Sequence, residues 1–344
     1  MYLIKLDGLE FLDIYRHKHR QFYSFSATVY LKKMEARNIL CFVAIVAFAS
    51  CDELKLAKDL KFKLNDGNLM PMIGLGTYQL KGSELIQDVL DKALGAGYRL
   101  IDTAKLYENE KEIGEALKVL LPKHNLTRQD IFITTKLAPF ELGGKAYESL
   151  KESIKKLDCE YVDLYLIHWP GDFLSNASDD KNGKNRIKSW ELMVKGVKDG
   201  LAKSIGVSNF NIRHLTELSK NDHGIKPAVN QVECNPNYPQ IELKEFLQKD
   251  KTLMQAYFSL GGTGNQNLLK NEKVGEIAKK LGKSPAQILL RWAVQQNIAV
   301  IPKATKQNHL EQNIDLNFVI PEEEIKILNS FPQNKITPDP ETIA

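Results

Sequence analysis

The chain has 344 residues, 43% hydrophobic and 26% charged, the balance of a globular protein rather than a disordered or fibrous one. Its net charge of +4 is small for that length and the basic residues are scattered, which argues against a nucleic-acid surface. The four cysteines, Cys41, Cys51, Cys159 and Cys234, form neither a CxxC nor a Cys/His cluster at zinc spacing, so no metal site and no disulfide framework is expected.

The first readable segment, MEARNILCFVAIVAFASCDE, starts at Met34. One positive charge (Arg37) precedes an apolar run from Ile39 to Ala49, and small residues at Ala47 and Ala49, or at Ala49 and Cys51, offer cleavage patterns. This is the layout of a secretory signal peptide over 34–51. The run is short for a bilayer span, so no stable membrane insertion is expected. A signal peptide begins at the start codon, so residues 1–33 read as a gene-model extension, or else as a disordered tail on a cytoplasmic protein. Translation from Met34 predicts secretion. The sequons at Asn125 and Asn176 are compatible with it and common by chance. Lipidation of Cys51 fits less well because of Phe48.

Residues 52–344 read as one barrel domain. LKFKLNDGNLM, with Phe62 and Leu64 alternating before Asn65-Asp66-Gly67, predicts a β-hairpin. Strand-like runs follow at 72–76, 98–102, 131–135, 162–167, 203–207, 228–232, 253–257 and 297–301. Between them lie amphipathic helices. The one over 84–97 has an apolar face of Leu85, Val89, Leu90 and Ala93, and others cover 146–157, 189–200 and 284–296. Ser284 is the N-cap of the last, with Pro285 in its first turn. Strands alternating with helices predict a parallel sheet, and this number closes a (β/α)8 TIM barrel with an N-terminal β-hairpin. An open doubly wound sheet is disfavoured because GLGTYQL lacks the third glycine of a dinucleotide fingerprint.

In such a barrel the residues past the C-terminal strand ends face the active site. Asp102 and Tyr107 follow the second run, Lys136 the third and His168 the fourth. Reduction of a carbonyl by hydride develops charge on its oxygen, which a proton donor and fixed hydrogen-bond donors stabilise. Tyr107 is the acid. Lys136 is expected to lower its pKa. Asp102 neutralises Lys136, and a neutral His168 orients the carbonyl. A hydrolase using paired carboxylates lacks a second acid near Asp102.

Taken in order over residues 58–340, GLGTYQ, GYRLIDTAKLYENE, IFITTKL, YVDLYLIHWP, SIGVSNFN, AVNQVECNPNY and VIPKATKQNHLEQN resemble the aldo-keto reductase family. The resemblance implies a monomeric, NADPH-binding barrel that reduces aldehydes and ketones, with Asp102, Tyr107, Lys136 and His168 as its catalytic residues. It implies that Ser208, Asn209 and Gln231 hold the nicotinamide carboxamide and that Tyr257 stacks on the ring. Lys303 falls near the pyrophosphate and 2′-phosphate, His309 near the 2′-phosphate and Asn313 near adenine, and Thr305 and Lys306 stand where they can compensate with Lys303 for a lost phosphate contact. Tyr78, His168 and Trp169 line the substrate pocket, with Phe258 beside them. Four positions depart from the pattern: Phe258 and Ala304 replace serines, His309 replaces an arginine and Gln312 a glutamate. Loss of the guanidinium weakens phosphate recognition and keeps NADH open as an alternative. Ala138 stands where a pocket tryptophan is common. Within the family the chain resembles an insect secreted branch that includes a 3-dehydroecdysone 3β-reductase, which makes a steroid-like ketone a candidate substrate. A non-catalytic binding protein on the same barrel is the competing class.

Overall fold

The computed structural model describes residues 59–172, 178–179, 181–262 and 267–344. The proposed extension, signal peptide, Cys41, Cys51 and the Asn176 sequon lie outside the described residues; Asn125 is exposed in a loop.

A hairpin opens the domain: β1 (Lys61–Lys63) pairs antiparallel with β2 (Leu69–Pro71) around the expected turn, where Gly67 takes φ 93°. Asn65 donates to the Pro227 carbonyl at 2.9 Å and Asn68 to the Lys203 carbonyl at 3.1 Å. Both acceptors lie where strands begin, so the hairpin covers the N-terminal end of the barrel and leaves the other end for chemistry.

Eight parallel strands follow: β3 (Leu75–Gly76), β4 (Leu100–Asp102), β5 (Phe132–Leu137), β6 (Val162–Ile167), β7 (Ala202–Ser208), β8 (Val229–Glu233), β9 (Leu253–Tyr257) and β10 (Ala299–Val300). They pair in sequence order. A parallel bridge between Ile73 and Val300 joins the two ends, with Gly74 N–H donating to the Val300 carbonyl at 2.8 Å, and closes the barrel.

Among the described residues the helices are α1 (Ser83–Ala96), α2 (Glu110–Lys123), α3 (Ala146–Lys156), α4 (Lys181–Lys198), α5 (Ile212–Ser219), α6 (Ile241–Asp250), α7 (Glu272–Leu281), α8 (Pro285–Gln295), α9 (Gln307–Ile314) and α10 (Glu322–Asn329). In α1 the buried face is Ile86, Val89, Leu90, Ala93 and Leu94, an i, i+3, i+4, i+7, i+8 set. Leu85, expected on that face, points outward because the stripe is centred one residue later. Ser284 caps α8 in a capping box with Gln287, as its sequence implies. α4 starts eight residues before the apolar pattern does. Its polar first turns are held by tertiary contacts: buried Asn182 accepts from the Asp172 N–H, and buried Arg186 pairs with Glu217.

Candidate active site

β4 ends on Asp102, whose neighbours in register are Gly76 and Thr134. The chain then makes a short 3-10 turn, Lys105–Tyr107, closed by Glu108 at φ 56°. Asn109, fully buried, holds this turn: it accepts from the Thr103 hydroxyl at 2.6 Å and donates to the carbonyls of Thr77 and Leu80. The turn thereby folds Tyr107 back over Lys136 on β5. Lys105, between the acid and the phenol in sequence, leaves the site and pairs with Glu141 and Glu152.

The expected constellation is present in space. The Lys136 ammonium, completely buried, donates to Asp102 Oδ1 at 2.7 Å, to the Thr103 carbonyl at 2.9 Å and to the Tyr107 hydroxyl at 3.2 Å. The His168 ring meets the Tyr107 ring edge-on, centroids 5.6 Å apart. Burial pushes Asp102 up and Lys136 down, and each is opposed by the charge of the other. Burial, with Lys136 nearby, holds His168 well below its ordinary value, so its imidazole is neutral. Its Nδ1 has no partner among the described residues. A buried unpaired acceptor is tolerated better than a buried unpaired donor, which assigns the ring proton to Nε2.

One expectation is corrected. Tyr107 is pushed well above the usual phenol value, first by burial and then by the Asp102 charge, rather than lowered by Lys136. The Asp102 carboxylate at contact distance offsets the charge of the ammonium, so the hydrogen bond from Lys136 does not overcome desolvation of the phenolate.

The residues implied for a coenzyme lie at the adjoining strand ends. Ser208 pairs in register with Gln231, and its hydroxyl donates to the Gln231 carbonyl at 2.7 Å. Asn209, at φ 63°, donates to the His168 carbonyl at 2.9 Å, and the Tyr257 hydroxyl donates to Asn209 Oδ1 at 2.5 Å. Gln231 donates to Asp102 Oδ2 at 2.7 Å. Two side-chain amides and a hydroxyl thus lie near the Tyr257 hydroxyl, with Gln231 bonded to the Asp102 carboxylate and Asn209 to the His168 backbone. That donor and acceptor set fits a planar ring bearing a carboxamide. Lys303, Thr305 and His309 are exposed around the start of α9, with Lys306 at its N-cap, an arrangement suited to phosphate. Lys303 reaches across to Gln79 at 3.1 Å. Asn313 is buried on α9 and offers a ligand little surface.

Around the mouth, Tyr78 is half exposed and 5.1 Å from the Tyr107 ring, Phe258 is exposed, and Trp169 is largely buried. Ala138 is fully buried, but Phe140, two residues on in the same loop, is exposed.

Two further parts of the site escaped the sequence reading. One is Gln255, buried on β9 against Gln231. The other is the last stretch of chain. Glu233, buried at the end of β8, accepts from the Ile336 N–H at 2.9 Å, the Thr337 N–H at 2.8 Å and the Thr337 hydroxyl at 2.7 Å. Beyond it Arg186 donates to the Ala344 carbonyl at 2.6 Å and Arg213 to the Ile343 carbonyl at 2.5 Å. This strap and the barrel rim line an open cleft of about 530 Å³ bordered by Asn209 and Tyr257. The signal was available only in part: Gln255 is a polar residue at an inward position two before Tyr257, whereas the strap's docking depends on long-range pairing.

A parallel barrel with a buried lysine and carboxylate against a half-buried phenol at its C-terminal mouth defines a class of enzyme that works by proton transfer. The family profile described as "Aldo/keto reductase family" matches residues 72–332, and the chain belongs to that family. It is therefore an oxidoreductase acting on carbonyl compounds. Methylglyoxal reductase DkgA of Escherichia coli K12 is 35% identical over 288 residues, 83% of this chain and 98% of that protein. Aldose reductase C of Dictyostelium discoideum is 38% identical, covering 82% and 92%. The crystal structure of a Bombyx mori aldo-keto reductase in complex with NADP superposes with a TM-score of 0.74 at 33% identity, covering 80% and 94%. Among the described residues no group of His, Cys, Asp and Glu could hold a metal, and no helix is long and apolar enough to cross a membrane.

Proposed function

We propose that the protein reduces aldehydes and ketones to alcohols with NADPH, Tyr107 delivering the proton. The observation that carries this is the contact of Lys136 with both Asp102, at 2.7 Å, and the Tyr107 hydroxyl, at 3.2 Å. The coenzyme, when bound by Ser208, Asn209, Gln231 and Tyr257, supplies the hydride. Burial keeps the Tyr107 proton in place near neutral pH. As charge grows on the substrate oxygen, that proton passes to it, and Lys136 stabilises the phenolate left behind. His168, neutral and protonated on Nε2, donates to the same oxygen and fixes its direction. Solvent then reprotonates Tyr107.

Lys303, Thr305, Lys306 and His309 favour NADPH over NADH by meeting a 2′-phosphate. The aromatic mouth of Tyr78, Phe140 and Phe258, with Trp169 largely buried beside it, suits a bulky apolar ketone, and a steroid-like ketone is our substrate class. We further propose that the chain acts as a monomer and, translated from Met34, is secreted. Light scattering of the purified protein and mass mapping of its mature N-terminus test these two points. A dimer, or a mature start before Met34, would contradict them.

The decisive assay follows NADPH and NADH oxidation with methylglyoxal, an aromatic aldehyde and a 3-ketosteroid. We expect turnover of the aldehyde and the steroid and tighter binding of NADPH. Absence of turnover on all three would overturn the proposal, and preference for methylglyoxal would overturn the substrate class alone.

A further inference from the structure

Gln255 lies in the middle of β9, in register with Gln231 on β8, and is completely buried. An apolar residue would fill that place at lower cost, since the Gln255 side-chain nitrogen has no hydrogen-bond partner among the described residues. Its oxygen is engaged: it accepts from Gln231 Nε2 at 2.8 Å. The same nitrogen donates to Asp102 Oδ2 at 2.7 Å, across the barrel from β8 to β4. Gln231 therefore spends both amide protons on fixed acceptors, one of them a carboxylate that can only accept. Its own side-chain oxygen is the group left to face a ligand. Without Gln255, the second proton has no acceptor and the amide is held by one bond, about which it can swing.

We propose that Gln255 is a positioning residue that acts through Gln231. It locks the Gln231 amide so that its oxygen stands ready to accept from the amide N–H of a nicotinamide carboxamide. It also holds Gln231 on Asp102, which links the coenzyme pocket to Lys136 and Tyr107 by one continuous hydrogen-bonded path. This inference rests on the coenzyme reading above and adds to it a residue that itself makes no contact with the coenzyme.

The test is a double-mutant cycle read by NADPH dissociation constants from tryptophan fluorescence, with thermal melting of each variant. Saturable binding to the unaltered protein comes first; its absence would remove the coenzyme reading and this inference together. Given binding, Gln255→Leu is expected to raise Kd about five-fold, the worth of one net hydrogen bond, while leaving Tm unchanged or higher. In a Gln231→Ala background the same change is expected to shift Kd by less than about two-fold, because its route of action is gone. A Gln255→Leu Kd within two-fold of the unaltered protein would overturn the proposal while leaving the coenzyme reading intact. An undiminished effect in the Gln231→Ala background would also overturn it.

Discussion

Lys136 has no exposed surface and, among the described residues, one carboxylate in ion-pair contact, and this isolation makes its pair with Asp102 fragile. Removing one partner leaves the other charged and buried, at a cost of about 3–5 kcal/mol. Asp102→Asn and Lys136→Met should each lower stability by roughly that amount in urea titrations. The double variant should recover much of the stability and none of the activity, since the pair is neutralised but Tyr107 has lost its support. Equal losses in all three would mean that the residues do not act as a pair. The sequence placed these side chains correctly because strand-end position is a local property. It misjudged the phenol because desolvation depends on how deeply the 3-10 turn pulls Tyr107 inward, and that is set by Asn109 and its three partners.

At the scale of elements, the strap is held mainly by one carboxylate. Glu233→Ala removes the acceptor of the Ile336 and Thr337 N–H groups. Amide exchange at those two residues should speed by about ten-fold or more while strands β5 and β6 keep their protection. Unchanged exchange would mean the strap is docked by its distal contacts alone. Helix α2 offers a second test. Alanine is ordinarily the better helix former, by about 1 kcal/mol over glycine. At Gly114, however, a Cβ would stand 2.6 Å from the Leu157 backbone. Gly114→Ala should therefore destabilise by about 1–3 kcal/mol, read as a lower urea midpoint. The strands and amphipathic helices were legible from their periods. The polar start of α4 and the strap were not, because Asn182, Arg186 and Glu233 are placed by partners far away in the chain.

At the scale of the whole molecule, the two histidines buried among the described residues, His168 and His214, bear on the acid limit. Burial lowers His168 well below its ordinary 6.5 and His214 to about 3. Both bind protons more readily when unfolded, so their contribution is complete above pH 6.5 and is lost as pH falls toward the folded values. Stability should decline below pH 6.5 by up to about 1.4 kcal/mol per pH unit for each histidine. His214→Gln should flatten that slope, and an unaltered slope would assign the acid limit elsewhere. The closed barrel was legible from the count of strand-like runs; the hairpin's place over the N-terminal end came only from the pairing of Asn65 and Asn68 with later strands. What this architecture leaves open is one mouth, and the phenol within it carries the chemistry. Single-turnover NADPH oxidation with an aromatic aldehyde, compared between the unaltered protein and Tyr107→Phe, tests that directly. We expect the rate to fall by about 10²–10⁴-fold with NADPH affinity unchanged. A variant that still turns over within a few-fold of the unaltered rate would contradict the assignment of Tyr107 as the acid.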